Sequence, residues 1–373
     1  MLKTEKNIEI NEDYMLLKLG RAEDIIFFDI ETTGLSMYKS QLYLIGLLTY
    51  DESNACWKLI QYLCEEVSDE LPVLEDFFKL LSSKKILISF NGDGFDIPFL
   101  STMAHQYGIS SDFSAIESFD ILKKIRPLKS LLGMPDQKLK TCERFLGIGR
   151  EDIFSGAELI YMYLDWQRDH DPKKLRCLLL HNAEDIENLP HVLPLLSYLY
   201  MLENPLHVER QEIKTYQDGS KTLFLYYHSE ETVPVPVHYE EGRADLYFEK
   251  NQIILSIELF EGECKLFFPD YQNYYYLPVE DTAIHKSLAD FMDAKYRVKA
   301  TARTAYQRVN GLFVPEKADI FTPVLKKEYK GKISYVPYQA ALFIDNKSSG
   351  AYLRSLLPTS LVHLCRNRQE GLQ

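Results

Sequence analysis

The chain has 373 residues, 46% of them hydrophobic, and a formal net charge of −13. That length suits two domains better than one, and that apolar fraction is enough for a sizeable core. A protein that grips nucleic acid over its whole surface is basic, so this charge confines any such contact to a local patch or to one bridged by cations. No apolar run is long enough to span a membrane. Met1 to Tyr14 lacks the apolar core of a signal peptide. Six cysteines (Cys56, Cys64, Cys142, Cys177, Cys264, Cys365) are scattered without a C-x-x-C pair. That is the pattern of reduced thiols in a cytoplasm rather than of a disulfide frame or a zinc site.

Residues 1–20 read as a polar, then mildly amphipathic, lead-in of no defined structure. Ile25 to Ile30 is a bulky apolar run that reads as a buried central strand. Gln41 to Tyr50 and Cys56 to Cys64 follow as strands, joined by short turns into an antiparallel meander. Asp69 to Leu81 switches to helical period, with Leu71, Leu74, Phe77, Phe78 and Leu81 on one face. Lys85 to Phe90 is a fourth strand, broken by Asn91-Gly92-Asp93-Gly94, and Phe95 to Gly108 resumes as helix. A short strand ends near Asp120, and the pattern is then mostly helical to Leu202. This is an α/β domain with a mixed sheet.

Three polar clusters interrupt these elements. Asp29 and Glu31 stand at i and i+2 on the first strand, so they share a face just before the Gly34 turn. Two such carboxylates repel, and one takes up a proton unless a cation sits between them. Hard oxygen ligands of this kind suit Mg²⁺ or Mn²⁺. Asp96 lies where the fourth strand gives way to a helix; alone it reads as an N-cap. His181 and Asp185, at i and i+4, share one face of a long amphipathic helix. Alone they read as a solvated pair. Glu151, Glu184 and Glu187 read as ordinary surface acids.

Together the clusters resemble the DEDD exonuclease superfamily, which has a ribonuclease H-like fold. Its D-x-E motif matches Asp29 and Glu31, its N-x-x-[FY]-D-like motif matches Asn91, Phe95 and Asp96, and its last motif matches His181 and Asp185. Phe90-Asn91-Gly92, Phe95-Asp96-Ile97-Pro98, Asp120-Ile121-Leu122, Leu139 to Gly147, Arg150 to Gly156 and Leu180-His181-Asn182 are similar to the YprB-like branch. The resemblance covers roughly residues 20 to 200. The second motif is one residue longer than its shortest form, the His-to-Asp spacing is that of the tyrosine class, and Ser118 stands where relatives often show His.

The resemblance implies a two-metal 3′–5′ exonuclease hydrolysing single-stranded RNA or DNA. Asp29, Glu31 and Asp185 would hold the first Mg²⁺ or Mn²⁺, with Asp29 bridging, and Asp96 the second. His181 would orient or deprotonate the attacking water. Thr32, Leu35, Asn91 and Phe95 would hold the terminal nucleotide, Leu35 as a wedge at the base; core packing is the alternative for Leu35 and Phe95. A ribonuclease H-like binding or assembly module with little turnover, or a phosphodiesterase acting on a small nucleotide, also remains open.

A break near Glu203-Asn204-Pro205 divides a first domain, 1–203, from a second, 204–373. The second reads as a smaller α+β domain with an antiparallel sheet built from Lys221–His228, Arg243–Phe248, Gln252–Phe260 and Cys264–Phe268. Pro234 and Pro236 suit an edge or a connecting loop. A tyrosine-rich run, Tyr271 to Tyr276, precedes a helix expected from Thr282 to about Ala294, capped by Asp281 or Thr282. Lys295, Arg297, Lys299, Arg303, Arg308, Lys326, Lys327, Lys330 and Lys332 interleave with Tyr296, Tyr306, Phe313 and Tyr329. Such a stretch can follow a single strand by phosphate contact and base stacking, though charge runs are more often solvated faces. Ala351 to Arg366 reads as a terminal helix interrupted at Pro358.

Overall fold

A computed structural model describes residues 1–10, 14–109, 113–289 and 293–362. The chain forms two compact units: Met1–Lys129 with Met134–Ser197, and Ser130–Gly133 with Tyr198–Gln373.

The first unit begins with β1 (Leu2–Ile8) and α1 (Tyr14–Leu19), then β2 (Ile25–Thr32), β3 (Leu42–Asp51) and β4 (Cys56–Leu63). Next come α2 (Glu70–Leu81), β5 (Ile86–Ser89), α3 (Asp96–Tyr107) and β6 (Glu117–Asp120). Helices α4 (Ile121–Ile125), α5 (Leu139–Leu146), α6 (Gly156–Asp169), α7 (Pro172–Glu187), α8 (Leu189–Val192) and α9 (Leu196–Glu203) follow, and the unit boundary falls within α9. The sheet order is β1-β4-β3-β2-β5-β6. β2 runs antiparallel to β3 and parallel to β5, and β5 runs parallel to β6. The mixed α/β sheet expected from the sequence is therefore present. The lead-in differs: Leu2–Ile8 is a strand paired with β4 along the sheet edge. Its composition is polar because an edge strand is held by backbone bonds and buries little.

β2 is central because Ile25 to Phe28 are completely buried. Its two faces do different work, as the period of two requires. Ile26, Phe28 and Ile30 pack in one core with Val73, Leu74 and Phe77 of α2 and Phe99, Leu100 and Met103 of α3. The opposite face carries Asp29 and Glu31, and α7 contacts β2, β3 and β4. That approach is close because Gly46 of β3, the cross-strand partner of Asp29, has no side chain. A Cβ there would meet Asn182 Oδ1 and Ile186 Cδ1 of α7, each at 2.1 Å.

The second unit holds further antiparallel sheets. β7 (His207–Thr215), β8 (Lys221–His228), β9 (Val237–Glu241), β10 (Ala244–Glu249) and β11 (Gln252–Glu258) form a five-stranded sheet ordered β7-β8-β11-β10-β9. β12 (Phe260–Phe267), β13 (Tyr274–Leu277), β14 (Thr282–His285), α10 (Lys286–Ala289), β15 (Val298–Lys299), β16 (Tyr306–Glu316), β17 (Ser334–Pro337) and α11 (Asn346–Ser355) complete it. Two three-stranded sheets result, β12-β16-β17 and β14-β13-β15. The expected helix from Thr282 is thus corrected. Thr282–His285 pairs in register with Tyr274–Leu277, and Asp281 turns the hairpin with φ of 50°. Its carboxylate accepts the Tyr276 hydroxyl at 2.6 Å instead of capping a helix. Among the described residues of the expected helix, Lys286–Ala289 is α-helical and Ala294 begins a 3₁₀ turn; residues 290–292 lie outside the described set. The last long helix starts at Asn346 and ends before Pro358; residues 363–366 of the expected segment lie outside the described set. Among the described residues no helix is long and apolar enough to cross a membrane.

Gly46→Ala should cost about 2–3 kcal/mol, the price of overpacking a helix–sheet contact. Denaturant unfolding of the variant beside the parent checks this; unchanged stability would mean that α7 can ride outward freely.

Candidate active site

The acidic end of β2 is assembled from four directions. β2 supplies Asp29 and Glu31. α3 supplies Asp96, which is its first residue and follows the Asn91–Phe95 turn. α7 supplies His181 and Asp185. The loop after α5 supplies Arg150 and Asp152.

Pairing of β2 with β5 stops at Phe27 opposite Ile88. Beyond that point Ile30 N–H donates to Asp96 Oδ1, at 3.2 Å. Asp96 therefore ties the helix start to the central strand, and the simple N-cap reading is set aside, since Phe95 occupies the cap position. Asn91 makes the preceding turn with φ of 71°, and its N–H donates to Asp120 Oδ1 at 2.9 Å. Ser118 Oγ donates to Asp93 at 2.6 Å.

On α7, His181 Nε2 lies 3.3 Å from Glu31 Oε1 and 3.6 Å from Asp185 Oδ2. One donor atom from each of Glu31, His181 and Asp185 lies within 4.8 Å of the other two. Each group is also held from behind. His181 Nδ1 meets Asp152 Oδ2 at 2.6 Å. The Tyr43 hydroxyl donates to Glu31 Oε2 at 3.2 Å, with the Tyr43 ring stacked on Tyr163. Arg150 Nη2 donates to Asp185 Oδ1, while Arg150 grips Glu143 through two bonds of 2.6 and 2.8 Å. Asn182 Nδ2 donates to Asp29 Oδ2 at 3.2 Å, and Asn182 Oδ1 accepts from Gln61 at 2.9 Å.

The electrostatics follow from burial and crowding. Burial first, then the charges of Asp96, Asp185 and Glu31, raise Asp29 well above the usual carboxylate range. Burial pushes Glu31 up to about 7 against the pull of His181 and Tyr43. Burial likewise pushes Asp96 up to about 7, against the bond from Ile30 N–H. Asp152 behaves oppositely. Burial opposes its ionisation, but bonds from Lys140 and His181 outweigh it and hold Asp152 below its ordinary value. An oxygen-rich donor set with one imidazole and too little internal counter-charge fits a divalent cation.

The sequence reading missed Tyr43, Glu143, Arg150, Asp152 and Asn182. Arg150 and Asp152 lie in a stretch that carried the resemblance, but nothing local marks their roles. Glu184 is corrected: its carboxylate accepts the N–H groups of Glu151 and Asp152 at 2.7 and 2.9 Å, which fixes that loop. Of the expected nucleotide contacts, Thr32 is buried and its hydroxyl donates to Gly34 O at 2.8 Å. Leu35 is 85% exposed, which removes core packing as its explanation. Phe95 packs partly against the core beside Phe99, with ring centroids 5.6 Å apart. Asn91 is exposed.

Residues 26–197 match a family model described as the RNase_H superfamily. With the sheet above, the first unit has a ribonuclease H-like fold. Among solved structures, the chain is similar to a family B DNA polymerase from the archaeon Pyrobaculum calidifontis at 14% identity and a TM-score of 0.39. That alignment covers 68% of this chain and 36% of the polymerase. It is similar to Brucella melitensis NrnC bound to pGG, at 16% identity and a TM-score of 0.29, over 47% of this chain and 72% of that one. It is also similar to E. coli Exonuclease I in complex with a dT13 oligonucleotide, at 12% identity and a TM-score of 0.30, over 55% and 54% of the two chains.

Two measurements probe the support of the site. Glu31, raised from 4.5 to about 7, binds its proton more tightly in the folded than in the unfolded chain. Its contribution to stability is complete below about pH 4.5 and is lost as pH rises through about 7; for this shift it is about 3 kcal/mol. Asp96 acts in the same sense. Unfolding of chelator-treated protein between pH 5 and 8.5 should show stability falling as pH rises, and saturating Mn²⁺ should flatten the slope. Arg150→Met should cost about 3–5 kcal/mol, because it leaves the buried Glu143 without its cationic partner, with only the Asn188 amide still donating to it among the described contacts. Combining it with Glu143→Gln should recover much of the loss in the same unfolding assay.

Proposed function

We propose that the first unit is a metal-dependent nuclease that hydrolyses single-stranded RNA or DNA from the 3′ end. The observation that carries this reading is the meeting of Asp29, Glu31, Asp96, His181 and Asp185 at one sheet end, with three of the acids raised by burial and crowding. The resemblance at the sequence level supplies the polarity and the two-metal scheme. Two divalent ions bound by these carboxylates would stabilise the attacking and leaving oxygens of an in-line displacement.

The residues of the chain then have separate tasks. Asn182 holds Asp29, Ile30 N–H holds Asp96, and Tyr43 holds Glu31. The resemblance gives His181 the orientation or deprotonation of the water. Hydrolysis forms a bond from the water oxygen to phosphorus and breaks the bond to the 3′ oxygen of the preceding nucleotide, releasing a nucleoside 5′-monophosphate. Leu35, exposed on the turn after β2, is the proposed wedge at a base, with Thr32, Asn91 and Phe95 as the other proposed contacts to the terminal nucleotide. The domain assignment is 1–203 for this activity and 204–373 for an accessory role in a cytoplasmic protein. The basic, aromatic stretch of residues 286–332 is the proposed second contact for the strand.

The test is cleavage of end-labelled single-stranded RNA and DNA oligonucleotides with Mg²⁺ or Mn²⁺, for wild type and Asp29→Ala. A ladder shortening from the 3′ end, dependent on metal and lost in the variant, is expected. Internal cuts would remove the polarity claim. Binding without cleavage in both proteins would favour the binding-module reading on these substrates.

A further inference from the structure

The helix that follows β6 carries a charge pattern that the acid cluster does not use. Residues 121–138 hold five Lys and Arg against one acid, Asp136, a net of +4 in a chain whose total is −13. α4 and the 3₁₀ turn after it, Arg126–Leu128, are amphipathic. Ile121, Ile125 and Leu128, at i, i+4 and i+7, are buried. Lys123, Arg126 and Lys129, at i, i+3 and i+6, share the outer side with Lys124 beside them, and all four are exposed. Among the described residues Lys123 meets Asp93, Lys124 Nζ lies over the Phe119 ring at 5.3 Å, and neither Arg126 nor Lys129 has a carboxylate partner. A merely solvated face of so acidic a chain would mix the two signs, yet no acid occurs from Ile121 to Pro135.

Place in the fold is the second observation. β2, β5 and β6 run parallel and lie side by side in that order. Their C-terminal ends thus fall on one edge of the sheet: the acids of β2, then the Asn91–Phe95 turn, then α4. Neighbouring strands lie about 4.8 Å apart, so α4 begins about 10 Å from the acids. That is about three nucleotides at the 3.4 Å rise of a stacked strand. The turn and the helix are tied together. Asp120 Oδ1 accepts Asn91 N–H at 2.9 Å and Lys123 N–H at 3.2 Å, and Asp93 Oδ2 accepts Lys123 Nζ at 2.9 Å. α4 therefore keeps a fixed position beside the turn proposed to meet the terminal nucleotide. Gln137 Nε2 donates to Ile125 O at 2.9 Å and brings the exposed Lys138 to the other end of the helix.

We propose that Lys123, Lys124, Arg126 and Lys129 form a phosphate track that binds the backbone of a single-stranded nucleic acid beyond the acid cluster; the inference rests on the nuclease reading for the kind of chain bound. Ammonium and guanidinium groups meet phosphate oxygens and release condensed counterions, which offsets the repulsion from the rest of an acidic chain. The track reads no bases. Phe119 is 8% exposed and lies under Lys124, so its ring offers no face for stacking. Strands of any sequence should bind alike, and strands long enough to reach α4 should bind better than dinucleotides.

The experiment is a fluorescence-anisotropy titration of labelled single-stranded RNA and DNA oligonucleotides with the full chain, carrying Asp29→Ala and treated with chelator, over a series of salt concentrations. A second protein adds Lys124→Gln, Arg126→Gln and Lys129→Gln. At about 0.7 per phosphate contact, the slope of log K against log salt should flatten by about 2, and affinity at low salt should fall about tenfold or more. An uncharged methylphosphonate strand should bind as weakly to the first protein. Amide hydrogen exchange of the first protein should show protection over residues 121–129 on adding the oligonucleotide, which decides the matter should the triple variant fail to fold. An unchanged slope and affinity, residues 121–129 left unprotected, or no binding at the lowest salt would overturn the track. Cleavage by the protein with Asp29 intact separates the two readings. Metal-dependent cleavage with an unaltered slope would overturn the track and keep the nuclease; binding through these cations without cleavage would keep the track and remove the nuclease.

Discussion

Carboxylates held together inside a protein must find counter-charge, and the end of β2 depends on this. Asp29 and Glu31 cannot move apart, because the strand that carries them is locked between β3 and the start of β5. Asp96 and Asp185 are brought to them by helices whose own packing is fixed. Burial raises the energy of each charge, and the neighbours raise it further. The surrounding structure answers with single hydrogen bonds from Asn182, Tyr43 and Ile30 N–H, and with one guanidinium, Arg150. These bonds position the acids without neutralising the group as a whole. A site left short of positive charge in this way is shaped for a cation and costs stability without one.

The fold makes the crowding possible through small devices. Early termination of β2–β5 pairing leaves an N–H for Asp96. The missing side chain at Gly46 lets α7 lie close enough for Asn182 to touch both Gln61 and Asp29. Glu184, one residue before Asp185, turns back to hold the loop that delivers Arg150 and Asp152. α7 therefore carries His181 and Asp185 on one side and, in Glu184, the brace for their support on another.

How much of this can be read from sequence depends on whether the geometry is local. Asp29 with Glu31, and His181 with Asp185, follow from the period of a strand and of a helix, so their shared faces are legible. Asp96 is legible as a strand-end residue, but its bond to Ile30 N–H depends on where β5 stops. Asp152, Arg150 and Glu143 reach the site through a loop and a tertiary route, and no spacing announces them. The second unit shows the same limit. Thr282–His285 is four residues long, too short for its period to separate strand from helix, and its partner strand decides it. β1 is polar and gains its conformation from the edge of β4.

The balance of charge bears on what the site can meet. A chain of net charge −13 repels a polyanion at long range. The cluster at β2 adds to that repulsion; with cations bound as proposed, cation and phosphodiester binding would be coupled, each making the other more favourable by cancelling charge. Arg150 would limit that coupling from the protein side. It engages one oxygen of Asp185 and leaves Oδ2 facing Glu31 and His181. Asp185 would then have its other oxygen free for the proposed ion. The buried Glu143 grips Arg150 through two hydrogen bonds and so fixes the guanidinium beside Asp185. The loop after α5, silent in the sequence pattern, thereby sets both the direction of the imidazole and the strength of the carboxylate beside it.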